Sequence, residues 1–106
     1  MDRQIWSRDD GLTWTKPENL TRKLKKRPWW LLAPAPNQGI TLRDGTLIMP
    51  GEGRDEKGYP FANLIVSRDH GATWTVSNPA FSGGNECQAV QLDDDSIMLN
   101  MRNDKP

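Results

Sequence analysis

One cysteine and one histidine are all that the 106 residues offer of the usual soft metal ligands and catalytic nucleophile–base pairs. A single thiol, Cys87, excludes an intrachain disulfide and any site built on a cysteine cluster. His70 would have to carry any Ser-His or Cys-His pair, yet it occupies a variable position of a repeated motif, so no such role is expected. Charge of one sign is lacking too: fourteen Lys and Arg balance fourteen Asp and Glu. Neither nucleic acid nor an acidic membrane surface is therefore an expected partner. No apolar run approaches the roughly 18 residues that a membrane-spanning helix needs, so membrane insertion is not expected. Helical periodicity is almost absent. No secretory leader precedes Ser7, and "DRQIWS" directly after Met1 reads as the middle of a strand. Both ends are thus expected to be interior points of a longer protein.

What is present is a β-type sequence. Apolar residues make up 35% of the chain, but five tryptophans and regular short apolar runs argue against disorder. The basic stretch Thr21–Arg27, with five Lys or Arg in seven residues, has no interleaved aromatic residue to stack a base and reads as a solvated loop. Strands are expected at Arg3–Ser7, Thr13–Lys16, Gly39–Leu42, Thr46–Met49, Ala62–Ser67, Thr73–Val76, Glu86–Leu92 and Ser96–Arg102. The sequence predicts a tight Asp44–Gly45 turn, a polar loop over Pro50–Pro60, and an irregular connection over 17–36. In that connection, prolines at 17, 28, 34 and 36 exclude a central strand or a stable helix.

Two repeats are interleaved. "SRDDGLTW" (Ser7–Trp14) returns as "SRDHGATW" (Ser67–Trp74), 60 residues on, and "TLRDGTLIM" (Thr41–Met49) is answered by "QLDDDSIML" (Gln91–Leu99) at an offset of 50. Alternation of two hairpin types is the pattern of four-stranded propeller blades. It implies an all-β chain covering about two blades: strands C and D of one over 1–21, a full blade over 37–77, and strands A and B of the next over 85–104. Because a propeller closes with roughly four to eight blades, two blades' worth of chain is a piece.

The octapeptide is expected to be structural. An Asp carboxylate (Asp9, Asp69) can accept backbone N–H bonds in a turn, and Gly11 and Gly71 supply a positive φ. Ser7, Thr13, Ser67 and Thr73 can satisfy local polar groups, while Trp14 and Trp74 bury a ring beside the turn. A catalytic centre would not be present twice at equivalent turns, and calcium wants more oxygen ligands than one turn presents.

Chemistry is better sought in the unrepeated Asn85–Asp104. A two-residue turn at Asp94–Asp95 would place Glu86 and Arg102 within one residue of directly opposite, but on different faces. A one-residue bulge would align them. On spacing alone, a structural ion pair is the simpler reading.

Both octapeptides match the Asp-box, and the chain resembles the bacterial sialidase (neuraminidase) family over nearly its whole length. The most specific stretches are 37–50, 61–74 and 85–104. The resemblance implies a six-bladed β-propeller and an exo-α-sialidase, a retaining hydrolase that releases terminal sialic acid from sialylated glycoproteins, glycolipids and oligosaccharides. It assigns Glu86 as the carboxylate assisting a tyrosine nucleophile, and Arg102 as one of three arginines gripping the substrate carboxylate. No metal or other cofactor is implied. Gln38, Glu52, Arg54 and Asp55 are expected at the same rim. The family's acid/base Asp, nucleophilic Tyr and other two arginines match nothing here, and Tyr59 matches none of them, so the piece alone is expected to be inactive. "APAPNQGI" replaces the commoner glycine-rich lead-in, and Asp95 stands where the turn glycine is usual. By resemblance the location is secreted, periplasmic or cell-surface. The other reading is a non-catalytic Asp-box propeller that binds glycans or proteins. Exposed terminal strand edges would make the isolated piece poorly soluble or oligomeric.

Overall fold

A computed structural model describes residues 3–103. The elements are β1 (Arg3–Gln4), β2 (Glu18–Asn19), α1 (Thr21–Leu24), β3 (Leu31–Pro34), β4 (Ile40–Thr41), β5 (Leu47–Arg54), β6 (Pro60–Ser67), β7 (Thr75–Val76), β8 (Phe81–Ser82), β9 (Gly84–Gln91) and β10 (Ile97–Asn103). All pairing is antiparallel. The main sheet runs β3–β5–β6–β7, with β4 also on β5 and β8 also on β6. β9 and β10 form a separate hairpin, as do β1 and β2.

β5 is the axis of the main sheet, and it runs where a loop is expected. It extends through Pro50 to Arg54 and pairs residue for residue with β6, from Leu47↔Ser67 to Arg54↔Pro60. Only residues 55–59 remain as the loop. Proline is tolerated because the Pro50 carbonyl points away from β6 and accepts from Ala35 N (2.9 Å). In a strand the N–H and C=O of one residue share a side, so the missing donor also faces that side. There the inner edge is interrupted between Pro34 and Ile40, and no rung to β6 is lost.

The 17–36 connection is more ordered than its prolines suggest. β3 forms on the edge of the sheet, where proline is allowed, with Pro34 at its end. α1 is a single turn, held by packing rather than propensity: Leu20 and Leu24 enter a cluster with Trp29, Leu32, Phe61 and Ile65. Trp29 and Phe61 meet with ring centroids 4.7 Å apart. The basic stretch is used locally: Lys23 pairs with Glu18, Lys25 reaches the Trp29 carbonyl, and Lys26 lies over the Trp29 ring at 5.2 Å.

The two Thr41–Met49 and Gln91–Leu99 repeats close in the same way, and not by two-residue turns. Leu42 N bonds Thr46 O (2.8 Å) and Leu92 N bonds Ser96 O (2.8 Å), enclosing three residues in each loop. The third is left-handed, Gly45 at φ 91° and Asp95 at φ 69°. This three-residue loop is a common hairpin closure, and Asp is among the side chains that tolerate the left-handed region. Arg43 joins the two loops: its N bonds Gln91 Oε1 (2.9 Å) and its Nη2 pairs with Asp95 Oδ1 (2.8 Å). Below them β9 packs on β5 and β6, with Ala35, Ala62 and Cys87 buried against Leu99 and Met101.

The two octapeptides are near-copies in bonding. Ser7 Oγ donates to Asp9 Oδ1 (2.9 Å) and accepts from Gly11 N (2.7 Å); Ser67 Oγ does the same with Asp69 (2.8 Å) and Gly71 N (2.8 Å). Each Asp then accepts from the Thr N and Thr Oγ1 four residues on. Such bonds favour the charged form: the Thr73 hydroxyl and N–H and the Ser67 hydroxyl pull the Asp69 carboxyl down to about 2, and Asp9 is lowered by the same partners. The tryptophans differ. Trp74 packs on the main core and donates Nε1–H to Gln4 Oε1 (2.9 Å). Trp14, expected to be buried, stays 58% exposed and donates Nε1–H to Gly11 O. The return strand expected at Thr13–Lys16 forms later, as β2; Thr15 contributes only bonds to Trp6.

Two outcomes follow for stability. Asp69 has a folded-state pKa below its unfolded value, so its contribution is complete above about pH 4 and fades as pH falls toward 2. Urea denaturation as a function of pH should show that loss, and Asp69→Asn should reduce it while leaving the share contributed by Asp9. Gly71 sits at φ +88° with its Cβ direction 2.4 Å from the Trp6 ring. Gly71→Ala should therefore destabilise by about 1–3 kcal/mol in the same assay.

Candidate functional site

The register of the β9–β10 hairpin decides the site. The three-residue loop shifts the pairing by one from the two-residue expectation, giving Ile97↔Gln91 through Met101↔Cys87. Pairing resumes at Asn103↔Gly84, so Arg102 stands opposite both Asn85 and Glu86. The bulge thus lies on the β9 side, and the two side chains meet: Arg102 Nη1 donates to Glu86 Oε2 at 3.2 Å.

This pair sits in a cleft of about 160 Å³ formed where the end of the hairpin meets the end of β5. Leu31, Glu52, Gly53, Arg54, Pro60, Asn85, Glu86 and Arg102 line it. Glu86 and Arg102 remain about half exposed, with side chains 47% and 59% accessible. An ion pair that open contributes little to stability. Glu52 is half-buried. Burial, reinforced by the negative charge of Glu86, raises its carboxyl above the usual range, while Arg102 and Arg54 pull the other way. Asn85 Oδ1 is buried with no hydrogen-bond partner, a polar atom left unsatisfied beside the ion pair.

Of the other rim residues named from sequence, Arg54 lines the cleft and also donates Nη1–H to Gly58 O (2.9 Å). Asp55 and Gln38 are not among the lining residues. Asp55 organises the 55–59 turn, its Oδ1 accepting from Lys57 N and Tyr59 N at 2.9 Å. Gln38 is exposed in the interruption between β3 and β4. Leu31, Gly53, Pro60 and Asn85 also line the cleft without having been expected there, and Asn85 is the polar one. A polar residue next to a strand-opening Glu gave no signal until the bulge brought it opposite Arg102. Among the described residues no three His, Cys, Asp or Glu side chains gather as a metal site. No helix there is long and apolar enough to cross a membrane.

Chemically, the cleft joins a guanidinium able to grip a carboxylate through parallel N–H bonds with a carboxylate able to accept a proton. The antiparallel sheets, the paired octapeptide turns and the neighbouring hairpin make the chain part of a β-propeller of the sialidase type. The chain belongs to the BNR repeat-like domain family, which it matches over residues 1–106. It is 37% identical over 99 residues to a sialidase of Bacteroides fragilis, covering 93% of this chain and 18% of that one. An exo-alpha-sialidase of Aspergillus fumigatus is 38% identical over 101 residues, covering 94% of this chain and 22% of that one. The solved Hadza microbial sialidase Hz136 superposes with a TM-score of 0.91 at 42% identity, over 95% of this chain and 20% of that one. The chain therefore spans only about a fifth of the length of these relatives.

Behind the cleft, Cys87 is buried and donates Sγ–H to Gly51 O (3.2 Å). Burial, and the charge of Glu52, push its thiol up. Iodoacetamide at neutral pH should leave Cys87 unmodified in the folded protein and label it fully in denaturant, as mass spectrometry would read.

Proposed function

We propose that this chain is part of an exo-α-sialidase, a retaining glycoside hydrolase that releases terminal sialic acid from glycoconjugates. The observation that carries the proposal is the Glu86–Arg102 pair, held across a bulge in an open cleft. It stands within a chain whose relatives are sialidases.

In this reading Arg102 binds the sialic acid carboxylate, exchanging its contact with Glu86 for two parallel bonds to the ligand. Glu86 accepts the proton of a tyrosine hydroxyl, which has an ordinary pKa of about 10 and needs a base to attack at neutral pH. That tyrosine, the acid/base Asp and two further arginines come from parts of the protein outside this chain. Tyr59, in the 55–59 turn and outside the cleft lining, is not assigned that role in this reading. The proposed blades are C–D strands over 1–21, a full blade over 37–77 and A–B strands over 85–104. The observed main sheet reaches further, from Leu31 to Ser82. A secreted, periplasmic or cell-surface location goes with glycoconjugate substrates.

The test is release of a fluorogenic sialoside by the full-length protein. Glu86→Gln should lower kcat about a hundredfold or more, the scale of general-base catalysis. Arg102→Lys should lower kcat/KM about 10- to 100-fold, the worth of a charged hydrogen bond. Both variants should keep the native circular dichroism spectrum. Full-length protein that binds sialosides without releasing sialic acid would instead be a glycan-binding propeller.

A further inference from the structure

Glu52 is the cleft's unassigned carboxylate. It comes from β5, while Glu86 and Arg102 come from β9 and β10, so two separately paired units converge on one space. Its neighbours in the sheet register are Ala33 on β3 and Ala62 on β6, neither of which titrates. The charged or titratable groups that face it are Glu86 and Cys87 from β9, Arg102 from β10 and Arg54 from its own strand. Among the described residues no side chain donates a hydrogen bond to the Glu52 carboxylate, whereas Glu86 has the Arg102 guanidinium.

The charge balance of the cleft is close: two carboxylates against two guanidiniums. An anionic ligand on Arg102 brings a third negative charge and competes with Glu86 for its cation. Like charges gathered in one partly dry space do not all stay ionised, and the least solvated one without a donor neutralises first. That group is Glu52, half-buried and already pushed toward its neutral form by burial and by Glu86.

We propose that Glu52 is a proton-uptake residue of the cleft: when an anionic ligand takes the Arg102 guanidinium, Glu52 binds a proton from solvent and changes from an acceptor to an O–H donor. The step moves one proton from the medium to a Glu52 oxygen; no covalent bond of the ligand changes. It makes ligand binding tighter in acid. The identity of the ligand as a sialic acid rests on the function proposed above.

The experiment is calorimetric titration of the full-length protein with the sialic acid analogue DANA, in MES and in Bis-Tris at matched pH between 5.5 and 7. The difference in heat between buffers gives the protons taken up. Native protein should take up a proton on binding, and its affinity should fall as much as about tenfold per pH unit between the ranges where free and ligand-bound Glu52 titrate. Glu52→Gln should take up none and bind with a flat pH profile. Glu52→Asp, which restores the acid, should recover the uptake, and Glu86→Gln, which removes one of the opposing charges, should weaken it. Uptake that survives in Glu52→Gln, or that is absent from native protein, would overturn the proposal. Any of these results with normal sialoside release would leave the sialidase reading standing. Protein that neither binds DANA nor releases sialic acid would overturn both.

Discussion

The structure hangs on β5. Its eight residues make a full antiparallel ladder with β6 on one side and carry β3 and β4 on the other. Its glycines let neighbours approach: a Cβ on Gly53 would lie 2.5 Å from the Leu31 carbonyl oxygen and from the Phe61 ring. Because β5 passes Pro50 without breaking, its far end delivers Glu52 and Arg54 to the cleft. Had the strand ended at Pro50, those residues would belong to a loop and the cleft would lose one wall.

A second constraint is a single left-handed residue at the end of each hairpin loop. Gly45 and Asp95 fix three-residue loops, and Asp95 thereby fixes the register that brings Arg102 opposite Glu86. The bulge at Asn85–Glu86 then releases the pairing as the strands leave the core. Site geometry is thus traced to a backbone conformation seven residues from Arg102 and bound in place by Arg43 of the neighbouring hairpin.

Several elements were legible in the residues themselves. The octapeptide's turn role follows from what Ser, Asp, Gly and Thr side chains can bond at short range, and both copies bond that way. The opposition of Glu86 and Arg102 was within one residue of readable. A two-residue turn at Asp-Asp differs from the observed three-residue loop by that one residue, and no local rule distinguishes the two when Asp tolerates the left-handed region. Trp14 shows the opposite failure: propensity says bury it, but burial depends on what stands nearby.

By itself the sequence determined what short-range chemistry dictates: the all-β character, the two Asp-box turns, the places where chain reversal occurs, and the residue types at the cleft. Those outcomes need only backbone sterics, side-chain period and hydrogen bonds a few residues long. Tertiary structure decided the rest. It carried β5 through a proline by turning the missing donor toward an interrupted edge, and it stabilised a one-turn helix by packing two leucines. It also gathered Glu52, Asn85, Glu86 and Arg102 from separate strands into one cleft, where burial and neighbouring charge, rather than residue identity, set the protonation of Glu52.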